Sequence, residues 1–165
     1  MRALVVYESM YGNTRTIAET IGAGLGESWD TDVRSVDDPT PVNVDDYGLV
    51  VIGGPTHALS MSTSKSRAEA RGVGTDLAAA GAGVRDWVPR LDSYRGSIAV
   101  FDTRVGRIPW AGSASRSLRR RLSRSGHRSV MRRSFVVVSK RGPVRPADLL
   151  QARVWGSELA VHARR

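Results

Sequence analysis

Short apolar runs alternate with amphipathic segments along this chain. Ile17, Ile21 and Leu25 recur at every fourth position, which predicts a helix that Asn13 or Thr14 caps. Strands buried on both faces appear as continuous apolar runs, and their alternation with helices predicts an α/β domain with a doubly wound, five-stranded parallel sheet. The predicted strands are residues 4–7, 32–36, 49–52 and 97–101, and a fifth strand in two parts, 129–131 and 135–138.

Further helical segments fill the second half of the chain. The pattern predicts a helix over residues 62–80 that glycines interrupt, a short helix over 84–91, and a helix from near Ser113 after a loop over 102–112. The last helix is expected to begin at Pro146 and to bury four apolar side chains, those of Leu149, Leu150, Val154 and Leu159. No repeat or linker divides the pattern, so residues 1–165 are expected to form one domain.

Composition narrows the chemistry that the chain can perform. It contains no cysteine, which excludes disulfides and thiolate sites, and its three histidines are too scattered to suggest a zinc site. Redox chemistry would therefore require a bound cofactor. The N-terminus has no apolar signal core and no run approaches roughly 18 apolar residues, so we expect a cytoplasmic protein without a membrane span.

The formal net charge of +9 comes almost entirely from arginine, which favours anionic partners. The densest arginine cluster lies within residues 116–133, where positions 116, 120 and 124 share one helical face and Leu118 and Leu122 define another. This pattern predicts an outer helix with a solvated basic side. No aromatic residue interrupts the cluster, so no specific nucleic acid is expected as a partner.

The loop that follows the first strand, Ser9-Met10-Tyr11-Gly12-Asn13-Thr14, combines hydroxyls, an amide and a glycine at a helix start. Unpaired N–H groups and the positive dipole end of the helix can receive a phosphate there. An ordinary strand-to-helix turn explains Thr14 as well as phosphate binding does. It explains Ser9, Gly12, Asn13 and Thr14 together less well. The loop matches neither the dinucleotide nor the nucleoside triphosphate glycine pattern.

This segment resembles the first strand and phosphate loop of the flavodoxin family, whose usual form is [TS]-x-[TS]-G-x-T. Ser9, Gly12 and Thr14 match that form, whereas Tyr11 stands where a small hydroxyl residue is usual. The resemblance extends to a second flavin loop, Gly53-Gly54-Pro55-Thr56-His57, and to a split fifth strand with a closing helix. It implies strand order 2-1-3-4-5, with flavin mononucleotide (FMN) bound where strands one and three diverge.

The resemblance also implies which residues surround the flavin ring. Pro55 and Thr56 would shape the second loop, and His57 would replace its usual aromatic side chain. The third loop departs from the family pattern: Asp102 and Thr103 would offer backbone groups to the ring. Arg104 or Arg107 near the flavin would favour an anionic reduced ring. Trp110 is expected either to stack on the ring or to anchor the loop in the core. The expected FMN-binding residues are Ser9, Met10, Tyr11, Gly12, Asn13, Thr14, Pro55, Thr56, His57, Asp102, Thr103, Arg104 and Trp110.

The sequence thus predicts an FMN-binding redox protein that transfers electrons between protein partners or to a small acceptor. Because the chain is basic, its redox partner proteins are expected to carry acidic docking patches. Two alternatives stay open: a flavodoxin-like oxidoreductase that acts on a quinone or similar substrate, and a basic binding module that has lost flavin. The choice between carrier and enzyme, the electron donor and the oligomeric state are left open by the sequence.

Overall fold

A computed structural model describes residues 1–56, 61–63, 83–106, 112–127 and 130–163. Within these ranges, strands and helices alternate as the hydrophobic pattern predicts, and two 3-10 turns cover Val44–Asp46 and Val88–Leu91. The strands are β1 (Arg2–Tyr7), β2 (Asp30–Ser35), β3 (Leu49–Pro55), β4 (Ser97–Val105) and β5 (Val130–Val137). The α-helices are α1 (Asn13–Gly26), α2 (Val84–Trp87), α3 (Ala114–Arg124) and α4 (Pro146–His162).

The five strands form one parallel sheet in the order β2-β1-β3-β4-β5, so the predicted architecture is confirmed. Tyr7 at the end of β1 lies in register with Gly53 of β3, which in turn lies beside Phe101 of β4. The carboxyl ends of these three strands therefore meet at one edge of the sheet. The strand order reverses at this edge, between β1 and β3. Ligands of open α/β sheets usually bind at such a position.

Alternate residues of the strands enter two separate hydrophobic cores. Ala3 and Val5 of β1 belong to the core under α1 and α4, whereas Leu4 and Val6 belong to the core under α2 and α3. All four side chains are fully or almost fully buried. The sheet is thus covered on both faces, which explains why its central strands are continuous apolar runs.

Helices α1 and α4 approach each other so closely that only glycine fits at two positions. A Cβ atom on Gly24 would lie 2.1 Å from the Arg153 carbonyl oxygen, and one on Gly156 would lie 2.3 Å from the Ile21 carbonyl oxygen. The face of α4 that contacts α1 is consequently built around small residues. Leu150 and Val154, which were predicted to be buried, are instead 65% and 46% exposed, and the buried face contains Ala152, Trp155, Gly156, Leu159 and Ala160.

Two strand predictions are also wrong. The predicted break in the fifth strand is absent, because β5 pairs continuously with β4 from Val130 to Val137. The polar residues Arg132, Arg133 and Ser134 interrupt the apolar pattern but not the backbone pairing. Strand β4 likewise continues to Val105, four residues beyond its apolar run, where a loop was predicted. Among the described residues, no helix is long and apolar enough to cross a membrane.

Candidate flavin site

The loop between β1 and α1 forms a tight turn whose backbone is set by Gly12. Gly12 adopts a left-handed conformation with φ of 90°, and its N–H donates a hydrogen bond to Ser9 Oγ at 3.1 Å. Gly12 is the residue that precedes the helix, and no side chain caps α1, so the predicted capping by Asn13 or Thr14 is wrong. The first turn of α1 also contains no acidic residue. Its N–H groups and its positive dipole end are therefore available to an anion.

The other residues of this loop differ in what they can offer to a ligand. Met10 is only 2% exposed and is therefore buried, while Tyr11 is partly buried. The amide of Asn13 donates to the carbonyl oxygens of Ser139 and Lys140, both at 3.0 Å, and thus joins α1 to the loop after β5. Asn13 is therefore engaged away from the turn.

Thr14 connects the first loop to the third. Its hydroxyl lies 2.7 Å from the hydroxyl of Thr103 on β4, and both side chains are buried. Thr56, just after β3, donates its N–H to the Thr103 carbonyl oxygen at 2.8 Å. The structure thus brings Thr14, Thr56 and Thr103 together, although they lie far apart in the sequence, in α1, just after β3 and in β4.

Asp102 is fully buried and links the second loop to the start of α3. Its Oδ2 atom accepts hydrogen bonds from Thr56 Oγ1 at 3.1 Å and from the Ser115 N–H at 3.0 Å. Thr56 Oγ1 in turn accepts from the Ala114 N–H at 3.0 Å. The Asp102 side chain therefore stabilises the first turn of α3, and its backbone lies inside the sheet opposite Gly54.

The neighbourhood of Asp102 is basic. Burial lowers the pKa of Arg132, and the charges of Arg116, Arg119 and Arg104 lower it further, while Asp102 acts in the opposite direction. Arg132 donates to Ser115 Oγ at 3.2 Å, next to the hydrogen bond between Ser115 and Asp102. This edge of the sheet therefore carries a local excess of positive charge.

Glu8, which was not predicted to belong to the site, is only 1% exposed. Its Oε2 atom accepts from the Val84 N–H at 2.9 Å, and its Oε1 atom accepts from the Ser62 hydroxyl. Glu8 thereby holds the chain after β3 and the start of α2 against the end of β1. One signal was present in the sequence: Glu8 continues the alternation of Leu4 and Val6, so its position faces the core under α2.

Not every predicted contact residue can be placed. His57, Arg107 and Trp110 lie outside the described residues. Pro55 ends β3 and is partly buried, and Arg104 lies near the end of β4 with its Nε atom buried and without a hydrogen-bond partner among the described residues. No group of three or more metal-binding side chains occurs in the described ranges.

Comparison with known proteins decides the family. The family model for flavodoxin matches residues 5–89, slightly more than half of the chain, and includes the loop after β1 and all of β3. The chain belongs to the flavodoxin family. Flavodoxins typically bind FMN and transfer electrons to partner proteins, so membership supports this general class of function. No curated protein matches the chain in sequence.

Several solved structures resemble this one over at least 98% of its length. A flavodoxin from the domain Archaea has 21% sequence identity and a TM-score of 0.68, with 100% of both chains covered. Flavodoxin 1 from Bacillus cereus has 18% identity and a TM-score of 0.66, covering 98% of this chain and 99% of its own. Rubredoxin oxygen:oxidoreductase from Desulfovibrio gigas has 16% identity and a TM-score of 0.65, and the match covers 99% of this chain but 36% of that larger one. At these identities the likeness shows the fold alone.

Proposed function

We propose that this flavodoxin binds FMN at the carboxyl edge of its sheet and passes electrons between protein partners. The observation that carries the proposal is the start of α1, where a left-handed Gly12 precedes a helix that has neither a side-chain cap nor an acidic first turn. A phosphate fits such a helix end, because the exposed N–H groups and the helix dipole both favour an anion. No atom lies within 4 Å of the position that a Cβ on Gly12 would occupy, which leaves room for close approach.

The residues of the loop fit the FMN phosphate in different ways. Ser9 Oγ accepts a hydrogen bond from Gly12, so its own proton remains available for a phosphate oxygen. Thr14 and Thr103 share one hydrogen bond, and the hydroxyl that accepts it retains its proton. Asn13, Met10 and Tyr11 would contribute chiefly through their backbone N–H groups.

The loops after β3 and β4 would surround the isoalloxazine ring. Of the described residues, Pro55, Thr56 and the segment from Asp102 to Arg104 would hold the ring, and a contact of His57 or Trp110 with the ring remains a prediction. The flavin supplies the redox chemistry when it is bound, and the protein binds the ring, orients it and adjusts its electrostatic environment. The basic groups around Arg132 would favour negative charge on the ring, as proposed for Arg104.

Titration of the purified chain with FMN tests the site. We expect Thr14→Ala to weaken FMN binding at least several-fold, since a hydrogen bond to a charged group contributes about 1.5 to 3 kcal/mol. Thr20→Ala is the matched control, because the Thr20 hydroxyl donates only to the Thr16 carbonyl oxygen within α1. Riboflavin, which lacks the phosphate, should bind far more weakly than FMN.

Two outcomes would contradict the flavin proposal. Colourless protein that takes up no added FMN would favour the basic binding module without flavin. An unchanged dissociation constant in folded Thr14→Ala protein, or equal affinities for FMN and riboflavin, would reject the phosphate site at the start of α1.

The partners of the proposed carrier should be acidic at their docking surfaces. A net charge of +9 steers the chain toward negative potential, and salt screens this attraction over a Debye length of roughly 8 to 10 Å. Rates of electron transfer with an acidic partner should therefore fall as ionic strength rises. Rates that increase with salt would contradict this electrostatic argument. A cytoplasmic location for such a carrier remains a prediction.

A further inference from the structure

A cavity of about 370 Å³ lies between α2 and α3, and most of the described residues that line it are arginines. Arg85 of α2 and Arg120, Arg121 and Arg124 of α3 line this space. We call it the α2–α3 arginine cavity. None of the described residues assigned to the flavin site lines it. Its volume falls within the range of small-molecule sites, which is roughly 300 to 1,000 Å³.

Helical spacing explains why one face of α3 is basic. The α3 residues of the cavity are Ser117, Arg120, Arg121 and Arg124, at relative positions 0, +3, +4 and +7, so they share one face of the helix. Leu118 and Leu122 lie on another face and are fully buried in the core under α3. The core packing of these two leucines therefore holds the basic face of α3 toward the cavity.

The positive charges of the cavity are poorly balanced within the described part of the chain. Arg121 pairs with Asp92 at 3.7 Å, and both side chains are about half exposed. No described carboxylate forms an ion pair with Arg85, Arg120 or Arg124. Like charges four residues apart, such as Arg120 and Arg124, destabilise a helix. A bound anion would remove this repulsion.

We propose that the α2–α3 arginine cavity binds a small molecule that carries two or more linked phosphate groups. The planar guanidinium group donates paired hydrogen bonds to phosphate oxygens, and several arginines can share adjacent phosphates. Met61 and Val88 add an apolar surface to the same cavity. The described lining contains no aromatic side chain on which a nucleic-acid base could stack, so a small oligophosphate is favoured over a single-stranded nucleic acid.

Calorimetric titration of the full chain with inorganic pyrophosphate at constant ionic strength tests this proposal. Arg120→Glu should weaken pyrophosphate binding by about tenfold or more, because it replaces a charged donor in the cavity with a repelling carboxylate. Arg119→Glu is the matched control, because it changes the net charge by the same amount. Arg119 is exposed on α3 and does not line the cavity. Its effect should stay within about threefold. Each titration is repeated with saturating FMN.

The outcomes separate this cavity from the flavin site and from general charge attraction. Pyrophosphate binding that persists in FMN and is lost in Arg120→Glu but not in Arg119→Glu supports the proposal. Equal losses in the two variants would show attraction to overall charge and would overturn it. Absence of binding to the wild-type chain, or competition with FMN, would also overturn it. Displacement of pyrophosphate by a single-stranded oligonucleotide, at a lower total concentration of phosphate groups than that of the pyrophosphate, would overturn the proposal and assign the cavity to nucleic acid.

Discussion

Glu8 offers a direct test of how the chain after β3 and the start of α2 are held in place. Its buried carboxylate accepts one hydrogen bond from the Val84 N–H, 76 residues further along the chain, and one from the Ser62 hydroxyl, 54 residues further along. Each hydrogen bond to a charged group contributes roughly 1.5 to 3 kcal/mol. Glu8→Ala removes both and leaves the Val84 N–H without its acceptor. We therefore expect it to lower the free energy of unfolding by about 3 kcal/mol or more.

Glu8→Gln separates the hydrogen bonds from the charge. A glutamine oxygen can accept from Val84, and its NH₂ group can donate to the Ser62 hydroxyl, so both contacts can persist without a carboxylate. We expect the free energy of unfolding of Glu8→Gln to exceed that of Glu8→Ala by at least about 1.5 kcal/mol. Because Glu8 positions the start of α2 and the chain after β3, FMN affinity should follow the same order of variants.

Urea unfolding, followed by far-ultraviolet circular dichroism and tryptophan fluorescence, measures these differences. Glu19→Ala is a suitable control, since Glu19 is a half-exposed carboxylate on α1 that pairs with Arg15 at 2.7 Å. An exposed pair of this kind contributes about 0.3 to 0.5 kcal/mol. The reasoning fails if Glu8→Ala costs no more than Glu19→Ala, or if Glu8→Gln is as unstable as Glu8→Ala.

Two further predictions concern packing and pH. Gly156→Ala should lower the free energy of unfolding by about 1 to 3 kcal/mol, because the new Cβ would clash with the Ile21 carbonyl oxygen. Gly26→Ala is the control and should be close to neutral, since no atom lies within 4 Å of its new Cβ. Equal melting temperatures of the two variants would contradict the close contact of α1 and α4. Burial raises the pKa of Tyr94, whose hydroxyl donates to the Tyr47 carbonyl oxygen. The folded state therefore favours the protonated phenol of Tyr94. This contribution to stability is fully present below the unfolded tyrosine pKa of about 10 and is lost as the pH rises above that value, so the free energy of unfolding should fall at alkaline pH. Tyr94→Phe should reduce that alkaline fall, and an unchanged slope would reject the assignment.

Much of the fold followed from local patterns. Apolar runs in β1, β3 and β4 identified strands buried on both faces, and the leucine spacing in α3 identified its buried face, because each signal depends on neighbours within one element. The turn at Gly12 was predictable for the same reason, since a residue without Cβ favours the left-handed conformation found there.

Only the tertiary structure decided contacts between segments that lie far apart in the sequence. The close approach of α1 selected the buried face of α4, so Leu150 and Val154 are exposed although they are apolar. Pairing with β4 kept β5 continuous across polar residues. Asp102 stabilises α3, and Thr14 contacts Thr103 across 89 positions, because parallel strands bring their carboxyl ends to one edge. The sequence alone could not show these pairings, since the energy of each depends on how the helices and strands pack.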